Sequence, residues 1–141
     1  MRAGHRTLDV GSGSGWTTAL LAHLTGPTGS VLGVEAVQEL TATGSANLRE
    51  LGQEWASIEP ARPGVLGLPD RGPFDRILVS AQARDLPHEL VEQLAADGRL
   101  VIPVAGTMLL VVRSGAEVTV TRHGSYRFVP LRTGPAPETL G

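Results

Sequence analysis

The chain contains no cysteine and no lysine. Without cysteine there is no disulfide, no thiolate nucleophile and no cysteine-ligated metal. Without lysine, Schiff-base chemistry and the P-loop lysine are excluded, because all 12 basic residues are arginine. Long apolar runs are also missing. The longest, residues 100–105 and 108–112, are far too short to span a bilayer. The opening Met-Arg-Ala-Gly-His-Arg has no apolar signal-peptide core, so the expected location is cytoplasmic. The net charge is −2, which gives no global attraction to nucleic acid or to an anionic membrane. The four histidines, His5, His23, His88 and His123, are scattered without metal-ligand spacing and read as surface residues.

What is present fits one domain: 141 residues, 41% of them hydrophobic, enough for a sizeable core. Residues 7–10 form a short apolar strand ending in a glycine turn. A helix follows from residue 16 to 24, with Trp16, Ala19, Leu20 and Leu24 on one face at i, i+3, i+4 and i+8. Gly26-Pro27 stops it. Residues 31–34 are a second strand. Val37, Leu40, Gly44, Leu48 and Leu51 make a second helical stripe, with Gly52 as its C-terminal cap. A third strand is expected around 57–61, a Gly/Pro-rich loop over 62–73, and a fourth strand over 74–79. Leu86, Leu90, Val91 and Leu94 mark a further helix, after which Asp97-Gly98 turns into a strand over 99–104. Two more strands, 108–113 and 118–122, flank the turn Ser114-Gly115. Residues 1–132 read as one domain and 133–141 as a frayed Gly/Pro-rich tail. Strands alternating with helices predict an α/β, Rossmann-like doubly wound, mostly parallel sheet; the final strand pair adds an antiparallel C-terminal edge.

The most informative stretch is Asp-Val-Gly-Ser-Gly-Ser-Gly-Trp, residues 9–16. Gly11, Gly13 and Gly15 follow a strand and open a helix. Glycine allows a tight turn and close approach of backbone N–H groups to a ligand, and a helix N-terminus favours an anion. The spacing is G-x-G-x-G, with Trp16 where a G-x-G-x-x-G loop has its third glycine, which argues against a nicotinamide dinucleotide. Glu35 ends the second strand, where a carboxylate can accept hydrogen bonds from both hydroxyls of a ribose. A plain glycine turn with a solvated glutamate is the alternative.

The chain resembles the protein-L-isoaspartate O-methyltransferase family, whose members use S-adenosyl-L-methionine. Leu8 to Trp16 is similar to its first motif and Pro73-Phe-Asp-Arg-Ile-Leu-Val-Ser-Ala to its fourth-strand segment. Leu86-Pro-His-Glu-Leu-Val-Glu-Gln-Leu, Gly98-Arg-Leu-Val-Ile-Pro-Val and Tyr126-Arg-Phe-Val-Pro-Leu follow in the family order. The first motif is common to many methyltransferases; the last two are much more specific. The resemblance implies that Gly11, Ser12 and Gly13 line the methionine end of the cofactor, with Asp9 shaping the loop and Gly15 and Trp16 completing it. It implies that Glu35 holds the ribose and that Ala36 and Val37 flank the adenine. Ser80 and Ala81 fall near the methyl-transfer centre. Arg127, Phe128, Val129 and Leu131 place a peptide carboxylate substrate, although Phe128 and Leu131 equally suit packing at a sheet edge. Asp75 and Asp97 read as structural.

Two departures from the family pattern stand out. Only eight residues precede Asp9, and none matches the Ser-Gln-Pro-His-type stretch that closes over the cofactor in the family. The expectation is a chain lacking the N-terminal part, with apolar surface left open to self-association and with turnover in question. Second, the family's adenine-contacting Asp-Gly is replaced by Pro63-Gly64. Gly64 then lines the adenine end, and unless Glu59 or a backbone carbonyl substitutes, one adenine contact is lost. Three other readings remain open: a carboxyl methyltransferase of peptide tailoring, a cofactor-binding or interaction module without turnover, and a nicotinamide oxidoreductase. No partner among nucleic acids or membranes is expected.

Overall fold

The computed structural model describes residues 4–125. Seven strands form one sheet: β1 (Arg6–Val10), β2 (Ser30–Glu35), β3 (Ala56–Pro60), β4 (Phe74–Val79), β5 (Leu94–Val104), β6 (Thr107–Ser114) and β7 (Glu117–Ser125). Their order is β3-β2-β1-β4-β5-β6-β7. The first five are parallel, and β6 and β7 add antiparallel pairs. The helices are α1 (Trp16–Thr25), α2 (Gln38–Glu50) and the single turn α3 (His88–Val91), with a 3-10 turn at Pro69–Arg71. This is the Rossmann-like sheet with an antiparallel edge that the sequence predicts.

The apolar strand residues divide by alternation. Leu8, Val10, Ile77, Val79, Leu100, Ile102 and Val111 point to one face, where Leu68, Leu90 and Leu94 close the main core. Truncating Ile77, which is 2% exposed, to Ala costs roughly 2–5 kcal/mol. The opposite face carries α1 and α2. Leu21 and Ala22 of α1 pack with Val31, while Ala19 packs with Leu48 of α2 and Ile58 of β3.

Two predicted elements come out differently. The bulky stripe of α1 is its outward face: Trp16, Leu20 and Leu24 are exposed, and the buried positions are Thr18, Ala19, Leu21, Ala22 and Thr25. The sheet beneath selects small side chains, since at Gly33 an added Cβ would lie 2.9 Å from Thr18 Oγ1. A periodicity count rewards bulk, whereas close helix-on-strand packing rewards its absence. The helix expected from 86 to 94 shortens to α3, and β5 already begins at Leu94. The Asp97-Gly98 turn is absorbed within β5 where its register with β4 shifts: Phe74 faces Leu94 while Arg76 faces Arg99. On α2 the stripe holds at Gly44 and Leu48, but Leu51 is exposed. Residues 126–141, which include the family-like Tyr126 segment and the expected tail, lie outside the described residues.

Candidate cofactor site

A cleft of about 280 Å³ opens at the C-terminal ends of β1, β2 and β4. This is where strand order reverses: the chain runs from β1 outward to β2 and β3, then returns to β4 on the other side of β1. Loops diverge at such a point and leave a crevice for a ligand. Gly11 and Gly13 form one wall. Glu35, Ala36, Val37 and Leu40 form the second, Ala61, Val65, Leu66 and Gly67 the third, and Ser80 with Ala81 the floor near β4.

The glycine loop leaves β1 by donating the Gly11 and Ser12 N–H groups to the Val34 carbonyl, at 2.8 and 3.2 Å. It turns through left-handed backbone at Gly13 and Gly15 and enters α1. An added Cβ at Gly13 meets nothing within 4 Å, so the backbone there faces open cleft. At Gly15 it would lie 2.9 Å from the Gly44 Cα. The loop is thus bare on the ligand side and in backbone contact with α2 behind.

Among the described residues, Glu35 is the one acidic side chain lining the cleft. Its Oε1 accepts the Gly13 N–H at 2.7 Å, and its Oε2 accepts the Val37 N–H at 2.8 Å. Each oxygen keeps a lone pair for a further donor, and the carboxylate ties the glycine loop to the start of α2. Beneath the loop, Asp9 is fully buried. Its Oδ2 accepts the Thr18 hydroxyl at 2.7 Å, while Oδ1 and the Ser12 hydroxyl have no partner among the described residues. Burial pushes the Asp9 carboxyl up to about 6 from its ordinary 3.8; the Thr18 hydrogen bond opposes the rise, and the nearby Glu35 charge adds to it.

Among the sequence-predicted residues, Gly11, Gly13, Glu35, Ala36, Val37, Ser80 and Ala81 come together around the cleft. Asp9 and Ser12 lie buried beneath it, and Gly15 backs the loop. Trp16 does not line the cleft. It is 77% exposed and sits in a groove with Asn47 and Leu51, on the far side of the loop, because its position opens α1 as the chain turns outward. Gly64 also stays outside, lining a neighbouring groove with Pro69 and Glu92, while Val65, Leu66 and Gly67 reach the cleft in its place. Glu59 is held by Arg71 at 3.2 Å and does not line the cleft. Arg127, Phe128, Val129 and Leu131 fall outside the described residues. Sequence reading missed Leu40, Thr18 and Asn47. Leu40 was legible as a first-turn residue of the helix after Glu35, whereas the other two act through contacts that only the fold reveals.

The fit to a nucleoside ligand is chemical as well as spatial. One carboxylate faces the cleft beside an apolar slot of Val37, Leu40, Ala61 and Leu66, and a glycine backbone lies opposite. Fold and site together define a Rossmann-like domain with a nucleoside-type cleft at its strand-order reversal. The family model "Protein-L-isoaspartate(D-aspartate) O-methyltransferase (PCMT)" matches residues 1–135. A protein-L-isoaspartate O-methyltransferase of Methanocella arvoryzae is 40% identical over 134 residues, covering 93% of this chain and 71% of that protein. A solved structure named protein-L-isoaspartate O-methyltransferase superposes with a TM-score of 0.84 at 24% identity, over 92% of this chain and 42% of the other. A Plasmodium falciparum structure bearing the same family name, in complex with S-adenosyl-L-homocysteine, gives 0.77 at 29% identity, over 93% and 67%. The chain belongs to the protein-L-isoaspartate O-methyltransferase family. It spans 60 to 71% of the length of the first curated relatives it matches.

Proposed function

We propose that the cleft binds S-adenosyl-L-methionine and that the chain serves a carboxyl O-methyltransferase of the protein-L-isoaspartate type, acting on an isoaspartyl carboxylate of a peptide or protein. The observation that carries this reading is the Glu35 carboxylate, fixed at the end of β2 and bracketed by the Gly13 and Val37 amides. The Glu35 oxygens accept the ribose hydroxyls. Val37, Leu40, Ala61 and Leu66 take the adenine between apolar surfaces, and the Gly11–Gly13 backbone borders the methionine end. Ser80 and Ala81 border the reacting centre.

Bound S-adenosylmethionine supplies an activated methyl group on a sulfonium. The acceptor carboxylate is ionised at neutral pH, its ordinary pKa being about 4, so these residues need supply no general base. Their task is alignment, and positioning of this kind contributes up to about 7–11 kcal/mol to a barrier. A cytoplasmic location belongs to the same proposal and rests on the sequence alone.

Self-association is the second part of the proposal. α1 and α2 cover the β1-β2-β3 half of their face. On the other half, Leu78 packs at the edge of the α1 cluster of Leu21 and Ala22, and Val101 and Leu110 continue its cross-strand row beyond that cluster, each only partly buried and outside the described core. An open apolar row of this kind favours association.

Calorimetric titration with S-adenosylmethionine, and separately with NAD, tests the first part. The expected result is binding of S-adenosylmethionine alone. Binding of NAD alone overturns the assignment, and binding of neither favours an interaction module. Methyl transfer to an isoaspartyl peptide, against the same peptide with ordinary aspartate, then tests the substrate.

A further inference from the structure

The glycine loop is braced from behind by a helix that touches no part of the cleft at the point of contact. Asn47, on the third turn of α2, donates its Nδ2 to the Ser14 carbonyl at 2.9 Å. The N–H of the same peptide unit, that of Gly15, donates to the Ser12 carbonyl at 3.1 Å. Both polar groups of the Ser14–Gly15 peptide are therefore engaged, one by the loop itself and one by α2. Gly44, one turn before Asn47, lets the two backbones meet: a Cβ on Gly44 would lie 3.2 Å from both the Gly15 nitrogen and the Ser14 carbonyl carbon.

We infer that Asn47 is a positioning residue for the methionine end of the cofactor: it fixes the Ser14–Gly15 peptide and so sets the direction of the loop's amides. The inference rests on the reading of the cleft as an S-adenosylmethionine site. Asn47 is exposed, and α2 is already anchored through the buried Gly44 and Leu48. Removing the amide therefore leaves the fold standing and frees one peptide plane. The nucleoside end leans less on this peptide, because Glu35 takes one of its two amides, the Val37 N–H at 2.8 Å, from outside the loop, and the other from Gly13, ahead of the Ser14–Gly15 unit. Asn47 should thus matter more for a ligand that carries the methionine part than for one that lacks it.

Two ligands and two variants separate this from a general structural role. S-adenosylhomocysteine and adenosine are titrated into the wild type, Asn47→Ala and Asn47→Asp, and exchange of the Gly15 amide is followed by NMR in the ligand-free proteins. Asn47→Ala is expected to weaken S-adenosylhomocysteine roughly fivefold, the worth of one hydrogen bond. Adenosine affinity stays within about twofold, and the Gly15 amide exchanges faster. Asn47→Asp weakens S-adenosylhomocysteine further, because a carboxylate cannot donate and faces a carbonyl oxygen. Unchanged S-adenosylhomocysteine affinity, or equal losses for both ligands, overturns the inference. If the wild type binds neither ligand, the cofactor reading fails and the inference with it. If it binds both but Gly15 exchange is the same in all three proteins, the reading stands and the role of Asn47 does not.

Discussion

Asp9 and Glu35 are two carboxylates with opposite surroundings. Glu35 has amide donors on both oxygens and an open cleft in front; Asp9 has one hydroxyl donor and no solvent. In the unfolded chain Asp9 ionises near 3.8, and in the fold near about 6. Below 3.8 both states are protonated and burial carries no charge penalty. Above about 6 both are ionised and the full desolvation cost stands. Its stabilising contribution is thus present at low pH and lost as pH rises from 3.8 through 6, by up to about 3 kcal/mol. Asp9→Asn keeps an acceptor for Thr18 without the charge. In urea unfolding across this range, the variant should gain on the wild type as pH rises, and a gap that does not vary with pH would refute the account. For Glu35, replacement by Ala removes the only carboxylate that lines the cleft among the described residues. S-adenosylhomocysteine binding is expected to weaken by at least roughly tenfold, as for lost hydrogen bonds to a charged group. Glu35→Gln should recover part of it, because one amide oxygen still accepts. Calorimetry on the two variants decides.

At the scale of the element, two of the three glycines in the loop between β1 and α1 have different reasons to be glycine. Gly13 has φ +58° and empty space where a Cβ would go. Gly15 has φ +92° and the Gly44 backbone at 2.9–3.0 Å. Gly13→Ala bears backbone strain alone, roughly 1–2 kcal/mol. Gly15→Ala bears strain and overlap with α2, roughly 2–4 kcal/mol. Chemical unfolding of both variants should rank them in that order; the reverse order would mean that α2 yields. The sequence announced this loop through its glycines and the acidic end of β2, because both are local signals. It could not announce Asn47 or Thr18, whose partners Ser14 and Asp9 are set by how helix meets strand. The same limit explains α1. Trp16, Leu20 and Leu24 make a persuasive apolar stripe, yet the sheet accepts Thr18, Ala19 and Ala22 instead. Strands survived better, since β4 (Phe74–Val79) matches its expected range and a short apolar run bounded by turns needs no partner to be seen.

At the scale of the whole molecule, the sheet is covered unevenly. Among the described residues, one face is closed along its length by the main core, and the other only on the α1–α2 side. The row of Leu78, Val101 and Leu110, covered among the described residues only at its Leu78 end, lies above the paired Arg76 and Arg99, which gives the surface an apolar centre and a basic border. Concentration-dependent sedimentation is expected for the wild type. Val101→Glu, a charge in the middle of the row, should shift the distribution toward monomer at equal concentration. The unequal cover was legible as an expectation of exposed apolar surface, but its location was not, since it depends on which strands the helices choose. The strand order has a further consequence, for how the chain reaches this shape. β1 sits mid-sheet between distant partners; Arg6 joins Asp75 across 69 positions, whereas β5, β6 and β7 pair as neighbouring hairpins. Local hairpins close at little entropic cost and distant strands late. The antiparallel edge is therefore expected to set before the cleft, whose walls come from both ends of that 69-residue span.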